Sequence, residues 1–331
     1  MDGCIGASDV RDSVVQPEST DRLQSLDRYG LSADCATPVA WLLPRETPLY
    51  ATSHGAAFLG DSLSLLPKLP DESIHLIITS PPYALIRRKP YGNVSADDYV
   101  SWFAPFAAEF KRILRPDGSL VLDIGGAWLP ALPVRSTYQF ELLLMLTKSF
   151  FLAQDFYWCN PARLPSPAEW VNVRRIRVKD AVDFVWWLSK TPFPKADNRR
   201  VLKSYSEAMK NLLEKGVTPA SRPSGHTITR NFERDNSGSI PPNYLLIPNT
   251  DSSSGYLREC RKAGVRPHPA RFPAQLPEFF IRLLTDPTDI VLDPFAGSNT
   301  TGAVAEGLSR KWIAIEKDRQ YLEASRFRFQ Q

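Results

Sequence analysis

The chain has 331 residues and 43% hydrophobic content, enough to bury a large core as one large domain or two ordinary ones. No apolar run approaches the roughly 20 residues of a membrane-spanning helix, and Met1 to Val15 shows no basic flank followed by a hydrophobic stretch, so a soluble intracellular protein is expected. The net charge of +4 conceals an asymmetry: residues 1–50 hold 4 Lys/Arg against 8 Asp/Glu, whereas residues 160–272 hold 20 against 10, a footprint suited to a polyanion.

Residues 1 to about 40 are polar, acidic and without sustained periodicity, which reads as a loosely docked arm. From Thr47 the pattern firms. Ala56 to Asp61 reads as a short strand with an acid at its end, and Ser62 to Leu66 opens a helix. The apolar run Ile74 to Ile78, bounded by charge and by prolines, predicts a buried parallel strand. Thr79-Ser80-Pro81-Pro82-Tyr83 then falls at its carboxyl end, where open α/β sheets keep their chemistry. Two successive prolines cannot donate, and their fixed φ leaves carbonyls outward as bare acceptors, with the Tyr83 ring beside them. Such a site suits a planar molecule with an exocyclic amine, such as cytosine or adenine. Taken alone, the five residues are equally a Pro-rich turn ending a strand.

Arg87-Arg88-Lys89 and Tyr91-Gly92-Asn93 form a basic, turn-rich loop placed to touch a phosphate backbone. Tyr99, Trp102, Phe103, Phe106, Phe110, Ile113 and Leu114 recur at helical spacing as a core-facing stripe, which Pro105 should kink or interrupt. Arg115-Pro116-Asp117-Gly118 predicts a turn, and Ser119 to Asp123 a buried strand ending in Gly125-Gly126. Strand, helix and strand thus repeat as in a parallel sheet. Phe140 to Leu146 supports a helix, and Phe150 to Cys159 and Val182 to Leu188 support two strands. Between Thr191 and Pro267 periodicity is poor while Pro, Ser, Asn, Arg and Lys are frequent, which predicts a long irregular region with a functional purpose.

Near the C-terminus, Asp289 to Asp293 reads as a strand, Pro294 to Asn299 as a tight loop and Thr300 to Leu308 as a helix. Lys311 to Glu316 follows as a strand and Asp318 to Phe327 as a closing helix. The glycine loop lets the backbone approach a ligand, and Glu316, 23 positions after Asp293, can take both hydroxyls of a ribose. A phosphate-rich dinucleotide is less suited, because Gly297-Ser298-Asn299 lacks the full G-x-G-x-x-G pattern and no second nucleotide half is visible. An adenosine-type loop paired with a proline-walled amine site points to methyl transfer from S-adenosylmethionine to a nucleobase or similar amide nitrogen. The four cysteines, Cys4, Cys35, Cys159 and Cys260, lie far apart with no histidine at ligand spacing, which supports neither a disulfide framework nor a zinc site. The scattered His54, His75, His226 and His268 carry no catalytic or metal-binding assignment.

From about Thr52 to Phe329 the chain resembles the permuted β-group DNA amino-methyltransferases of the cytosine-N4 type. The resemblance rests on Ser80-Pro81-Pro82-Tyr83 followed by Asp293-Pro294-Phe295-Ala296-Gly297-Ser298-Asn299-Thr300-Thr301-Gly302. Asn299 stands where the broader family's F-x-G-x-G has its second glycine, and asparagine tolerates left-handed backbone angles. The resemblance implies an α/β, Rossmann-like methyltransferase sheet, mostly parallel with one antiparallel hairpin strand, circularly permuted and carrying an inserted DNA-recognition region. The implied division is an arm over 1–45, a catalytic half over 46–192, a target-recognition region over 193–266 and a cofactor-binding half over 267–331. The strand ending at Asp293 should lie beside the one ending at Thr79, at the topological switch point.

Roles follow from the same resemblance. Asp293, Phe295, Gly297, Ser298 and Thr300 would line the methionine end of S-adenosylmethionine, with Asn299 in the same cofactor loop. Glu316 would hold its ribose and Asp61 its adenine amine, and His268 to Ala274 would pack from the other side. Ser80, Pro81, Pro82 and Tyr83 would form the catalytic loop. Arg87, Arg88, Lys89, Arg222, His226 and Arg230 would contact DNA, with Asn231 and Asn243 as further candidates. The implied partner is double-stranded DNA, at a short palindromic site for which CAGCTG is the candidate, with the target base flipped out. The implied setting is a bacterial cytoplasm, where a monomer would share its site with a restriction endonuclease without contacting it; no metal is implied. The rival readings are adenine N6 methylation, since related enzymes usually carry Asp or Asn at the position of Ser80, a glutamine or RNA methyltransferase, and a DNA-binding protein without catalysis.

Overall fold

Thr79, Asp123, Asp293 and Glu316 each end a run of apolar residues, and in the computed structural model, which describes residues 39–84, 94–216, 234–250 and 254–330, those runs are strands of one sheet. The described residues form nine strands: β1 (Tyr50–Ala51), β2 (Gly55–Leu59), β3 (Ile74–Thr79), β4 (Leu114–Ile124), β5 (Phe151–Cys159), β6 (Val182–Ser189), β7 (Tyr244–Leu246), β8 (Ile290–Asp293) and β9 (Lys311–Glu316). Their spatial order is β1-β2-β9-β8-β3-β4-β6-β5-β7. Leu76, Ile77, Val291, Leu292, Leu120 and Ile315 are fully buried, because helices cover both faces of a parallel sheet and leave no polar side to alternate with.

β2, β9, β8, β3 and β4 run parallel. β6 lies antiparallel between β4 and β5, which is the expected hairpin strand, and the two-residue β1 is antiparallel at the opposite edge. The α-helices among the described residues are α1 (Ser62–Leu65), α2 (Tyr99–Ile113), α3 (Tyr138–Leu146), α4 (Glu207–Lys215), α5 (Gly255–Ala263), α6 (Gln275–Leu284), α7 (Thr300–Gly307) and α8 (Arg319–Ser325). From β8 the chain passes through α7 to β9 on one side, and from β3 through α2 to β4 on the other. The connections therefore diverge between β8 and β3, which opens a crevice above their carboxyl ends. The expected adjacency holds: Leu76 and Ile77 face Val291 and Leu292, and the Thr79 hydroxyl donates to Asp293 Oδ1 at 2.7 Å.

Four expectations need correction. The arm expected to reach residue 45 ends earlier, since Val39, Leu42 and Leu43 are buried in the main core. Helix α2 runs through Pro105 without interruption. Ser101 and Pro105 both lie on its exposed face, so the Ser101 carbonyl that loses its partner can bond water, while Trp102, Phe103, Phe106 and Phe110 hold the buried face. Arg115 to Gly118 does not precede a strand; it bulges out of β4, where Ile74 faces Leu114 but Leu76 already faces Ser119. The stretch from Thr191 to Pro267 is not wholly irregular, because it contains α4, β7 and α5. Helix α4 buries no side chain and α5 only Tyr256 and Cys260, but both are amphipathic, with Met209, Leu212 and Leu213 half-buried on one face of α4; Ser206 and Ser254 cap their N-termini and Gly216 and Gly264 follow their C-termini. Among the described residues no helix is long and apolar enough to cross a membrane.

Candidate active site

A cavity of about 530 Å³ opens at the crevice. Ser80, Pro81, Pro82 and Tyr83 line it from the end of β3, and Phe295, Gly297, Ser298 and Thr300 from the turn between β8 and α7. Asp61, Glu316 and the segment His268 to Phe272 close it from other sides. Residues more than 200 positions apart thus share one chamber, because each follows the carboxyl end of a neighbouring strand.

On the β3 side the polar groups form a chain. Ser80 Oγ donates to the Tyr83 hydroxyl at 3.3 Å, and that hydroxyl donates to Asp123 Oδ2 at 3.0 Å. Burial, then the Asp123 and Asp183 charges, push the Tyr83 phenol well above its usual range. Burial and the charge of Asp183 push Asp123 up to about 8, so its carboxyl is largely protonated at neutral pH. Its Oδ1 is buried and has no hydrogen-bond partner among the described residues. Asp183 is gripped by both terminal nitrogens of Arg163, with Nη1 at 3.0 Å from Oδ1. Gly125 lies between, and a Cβ there would run into the Tyr83 ring and the Asp183 carboxylate. The expectation of two bare proline carbonyls is half met. Tyr99 donates to the Pro82 carbonyl at 2.9 Å, whereas the Pro81 carbonyl accepts no hydrogen bond among the described residues.

On the β8 side the loop is braced from behind. Asp293 and Asn299, expected among the cofactor ligands, do not line the cavity. Asp293 accepts from Thr79 and, at 2.8 Å, from Thr301, and it also accepts from the Phe295 N–H; burial still pushes it up to about 6. Asn299 is fully buried at φ +51, where its side chain accepts from Gly302 N–H at 3.0 Å and donates to the Tyr50 hydroxyl at 3.0 Å. A left-handed residue must start α7, and asparagine adds a cap that glycine could not. Gly297, at φ +52, donates its N–H to Glu316 Oε2 at 2.8 Å, while Oε1 accepts from Asp318 N–H at 2.9 Å. Burial nevertheless shifts the Glu316 carboxyl upward. Arg328 donates to the Ser298 carbonyl and hydroxyl, and Phe295 packs on Phe106 at 5.0 Å and Trp102 at 5.9 Å. Asp61 caps α1 through Leu63 N–H and remains exposed at the rim.

The His268 ring lies where a Cβ on Gly297 would approach to 3.2 Å, and it packs edge-on against Tyr321 at 4.5 Å. Burial lowers its pKa to about 4, so the ring is neutral at neutral pH. Motif reading did not single out Trp158, Asn160, Arg163, Asp183 or Asn249, all of which line the cavity. The strand-end rule points to Asp123 and Asn160. Asp183 begins a strand and is found only once β6 is known to run antiparallel. The candidate DNA contacts Arg87, Arg88, Lys89, Arg222, His226, Arg230 and Asn231 lie outside the described residues. Asn243 serves the sheet edge instead, donating to the Asp155 carbonyl at 2.9 Å.

Comparison with known proteins matches this arrangement. The profile of the N6/N4 methyltransferase family, described as DNA methylase, matches residues 74–327. The type II methyltransferase M.PvuII of Proteus hauseri is 56% identical over 289 residues, 86% of each chain. The type II methyltransferase M.ScaI of Streptomyces caespitosus is 26% identical over 277 residues, 83% of this chain and 81% of its own. Among solved structures, the PvuII DNA methyltransferase (cytosine-N4-specific) aligns with a TM-score of 0.71 at 49% identity, covering 86% of this chain and 89% of that one. The M1.HpyAVI–SAM complex aligns with a TM-score of 0.51 at 19% identity, covering 84% of this chain and all of that one, and speaks for the fold alone. With its permuted sheet, its Ser-Pro-Pro-Tyr loop and these matches, the chain belongs to the N6/N4 DNA methylase family.

Proposed function

We propose that the protein transfers a methyl group from S-adenosylmethionine to the N4 amine of cytosine in a short site of duplex DNA, as the modification partner of a restriction endonuclease. The observation that carries this reading is the single cavity lined by both the Ser80–Tyr83 loop and the Gly297 loop. The 56% identity to a type II methyltransferase supports it.

The β8 side of the cavity fits an adenosyl group. Gly297 offers backbone without a side chain, Glu316 a buried carboxylate for ribose hydroxyls, Phe295 an apolar wall and Asp61 an acceptor at the rim for the adenine amine. Ser298 and Thr300 face the methionine end; Asp293 and Asn299 hold the loop in shape. When bound, S-adenosylmethionine supplies an electrophilic sulfonium methyl. The protein's task is the nucleophile. The lone pair of an aromatic amine is delocalised into its ring, and it localises on nitrogen when Ser80 Oγ and the Pro81 carbonyl accept the two N–H bonds. Tyr83, tethered through its hydroxyl to Asp123, walls the base against one face. A nitrogen that has gained a fourth bond loses its proton readily, so no strong base is required.

In a duplex the target amine is paired, so the base must be extruded, at a cost of a few kcal/mol. The basic loop at 87–89 and the basic stretch 160–272 supply phosphate contacts, with Arg87, Arg88 and Lys89 from the first and Arg222, His226 and Arg230 from the second as the proposed ligands and 193–266 as the recognition region. A monomer acting in the bacterial cytoplasm on CAGCTG, a site shared with the endonuclease without contact between the two proteins, completes the reading. The test is transfer of labelled methyl to duplexes with and without CAGCTG, followed by identification of the modified nucleoside. N4-methylcytosine is expected. N6-methyladenine would favour the adenine reading, and absence of transfer to any DNA would reject both.

A further inference from the structure

We propose that Asn160 reads the 2-carbonyl of the extruded base and is the residue by which the cavity selects cytosine over adenine; this rests on the amino-methyltransfer reading above. Asn160 follows directly on β5, where its backbone N–H donates to the Ala181 carbonyl at 2.8 Å. Its side chain lines the cavity and is 7% exposed. Two backbone donors, Ala162 N–H at 3.1 Å and Asn249 N–H at 3.0 Å, converge on its Oδ1. They fix which end of the amide is oxygen, because neither N–H could face an NH2 group. The Nδ2 donor is thereby set in place, and it makes no hydrogen bond among the described residues. That nitrogen is not sealed from the cavity, so it is a pre-positioned donor that solvent or a ligand in the chamber can accept from.

The polar groups around Asn160 are already committed. Trp158 Nε1 donates to the Ile247 carbonyl at 2.9 Å, Asn249 Nδ2 to the Arg271 carbonyl at 2.6 Å, and the Arg163 fork to Asp183. The sheet order then says which edge of a base Asn160 would meet. Ser80 ends β3 and Asn160 ends β5, with β4 and β6 between them. Three strand spacings separate the two by roughly 14 Å. A base whose amine is gripped by Ser80 and Pro81 can therefore extend the far end of its amine-bearing edge toward Asn160.

Cytosine and adenine are alike over the first part of that edge and differ at its end. Each presents an amine and then a ring nitrogen that accepts; the third position is a carbonyl oxygen in cytosine and a C–H in adenine. A fixed N–H donor at the third position bonds the first base and gains nothing from the second. Sites built around such a bond discriminate strongly, because the wrong ligand leaves the protein donor unpaired.

The test uses the full-length protein and duplexes whose target position carries either cytosine or 2-aminopyridine joined to the sugar through its C5, a neutral base with the same amine and ring nitrogen but C–H in place of the 2-carbonyl. Wild-type protein is expected to favour cytosine by about ten- to a hundredfold in kcat/KM. Asn160→Asp keeps an oxygen for the Ala162 and Asn249 N–H groups while replacing the donor by an acceptor, and Asn160→Ala removes both. In either variant the preference should collapse through loss on cytosine alone, with S-adenosylmethionine affinity retained; the melting temperature should hold in Asn160→Asp and fall in Asn160→Ala, which leaves the Ala162 and Asn249 N–H groups without their acceptor. Equal rates of the wild-type protein on the two bases would overturn the proposal even if neither variant folds. So would equal losses on both bases in a folded variant, which is the mark of a merely structural residue. If wild-type protein forms no N4-methylcytosine at all, the functional reading itself has failed and the proposal with it.

Discussion

Substituting Glu316 by glutamine isolates the carboxylate that joins the cofactor loop to the end of β9. Both its oxygens are in use, Oε2 on Gly297 N–H at 2.8 Å and Oε1 on Asp318 N–H at 2.9 Å. A glutamine has one oxygen, so one of the two backbone donors must face an NH2 group and goes unpaired. A charge-assisted bond is worth about 1.5–3 kcal/mol. Part of that is returned, because the carboxylate is desolvated in the fold and its pKa is already shifted upward. A net loss of about 2 kcal/mol concentrated at Gly297 corresponds to roughly thirtyfold weaker S-adenosylmethionine binding, and lost bonds to the ribose hydroxyls would add to it. Calorimetric titration with the cofactor reads the change, and DNA affinity measured without cofactor serves as the control, since Glu316 stands on the β9 side of the chamber. A dissociation constant within twofold of wild type in a folded variant would refute both the ribose assignment and the bracing of Gly297.

Two further substitutions probe the neighbouring groups. Gly297→Ala forces a Cβ into the left-handed region at φ +52 and to 3.2 Å from the His268 ring; the backbone term alone is about 1–2 kcal/mol, so weaker cofactor binding and a melting temperature lower by several degrees are expected, and unchanged values would place the loop elsewhere. Asp123→Asn removes a buried acid whose pKa is raised from 3.8 to about 8. Such a group favours the fold fully below its unfolded value, and that contribution is lost as pH rises through about 8, at no more than about 1.4 kcal/mol per pH unit. Denaturation at pH 5, 7 and 9 should therefore show the variant gaining on wild type as pH rises; parallel curves would mean that Asp123 ionises normally.

The central strands were legible because a parallel sheet buries both faces: Ile74 to Ile78, apolar except for His75, and Ile290 to Leu292 are apolar runs that end on polar residues. Their adjacency followed from the family resemblance together with the rule that ligands sit where the connections diverge. Helices α4 and α5 do carry helical spacing, Met209, Leu212 and Leu213 in one and Tyr256, Leu257 and Cys260 in the other, but each spans only nine residues between Pro-, Ser- and Asn-rich loops, too few turns to stand out from them. The resemblance named Asp293 and Asn299 as cofactor ligands, but a motif marks what the loop needs without separating residues that touch a ligand from those that shape the turn. Asp123, Asn160, Arg163 and Asp183 escaped notice for another reason. Each is unremarkable in its own segment, and they become a site only when β4, β5 and β6 lie side by side.

The most direct test of methyl transfer through the Ser80 loop is the single-turnover rate of Ser80→Ala, measured beside its S-adenosylmethionine affinity. If the Ser80 hydroxyl accepts from the target amine only as the lone pair localises, the rate should fall about a hundredfold or more while the dissociation constant for the cofactor stays at the wild-type value. A wild-type rate, or a loss confined to cofactor binding, would contradict it.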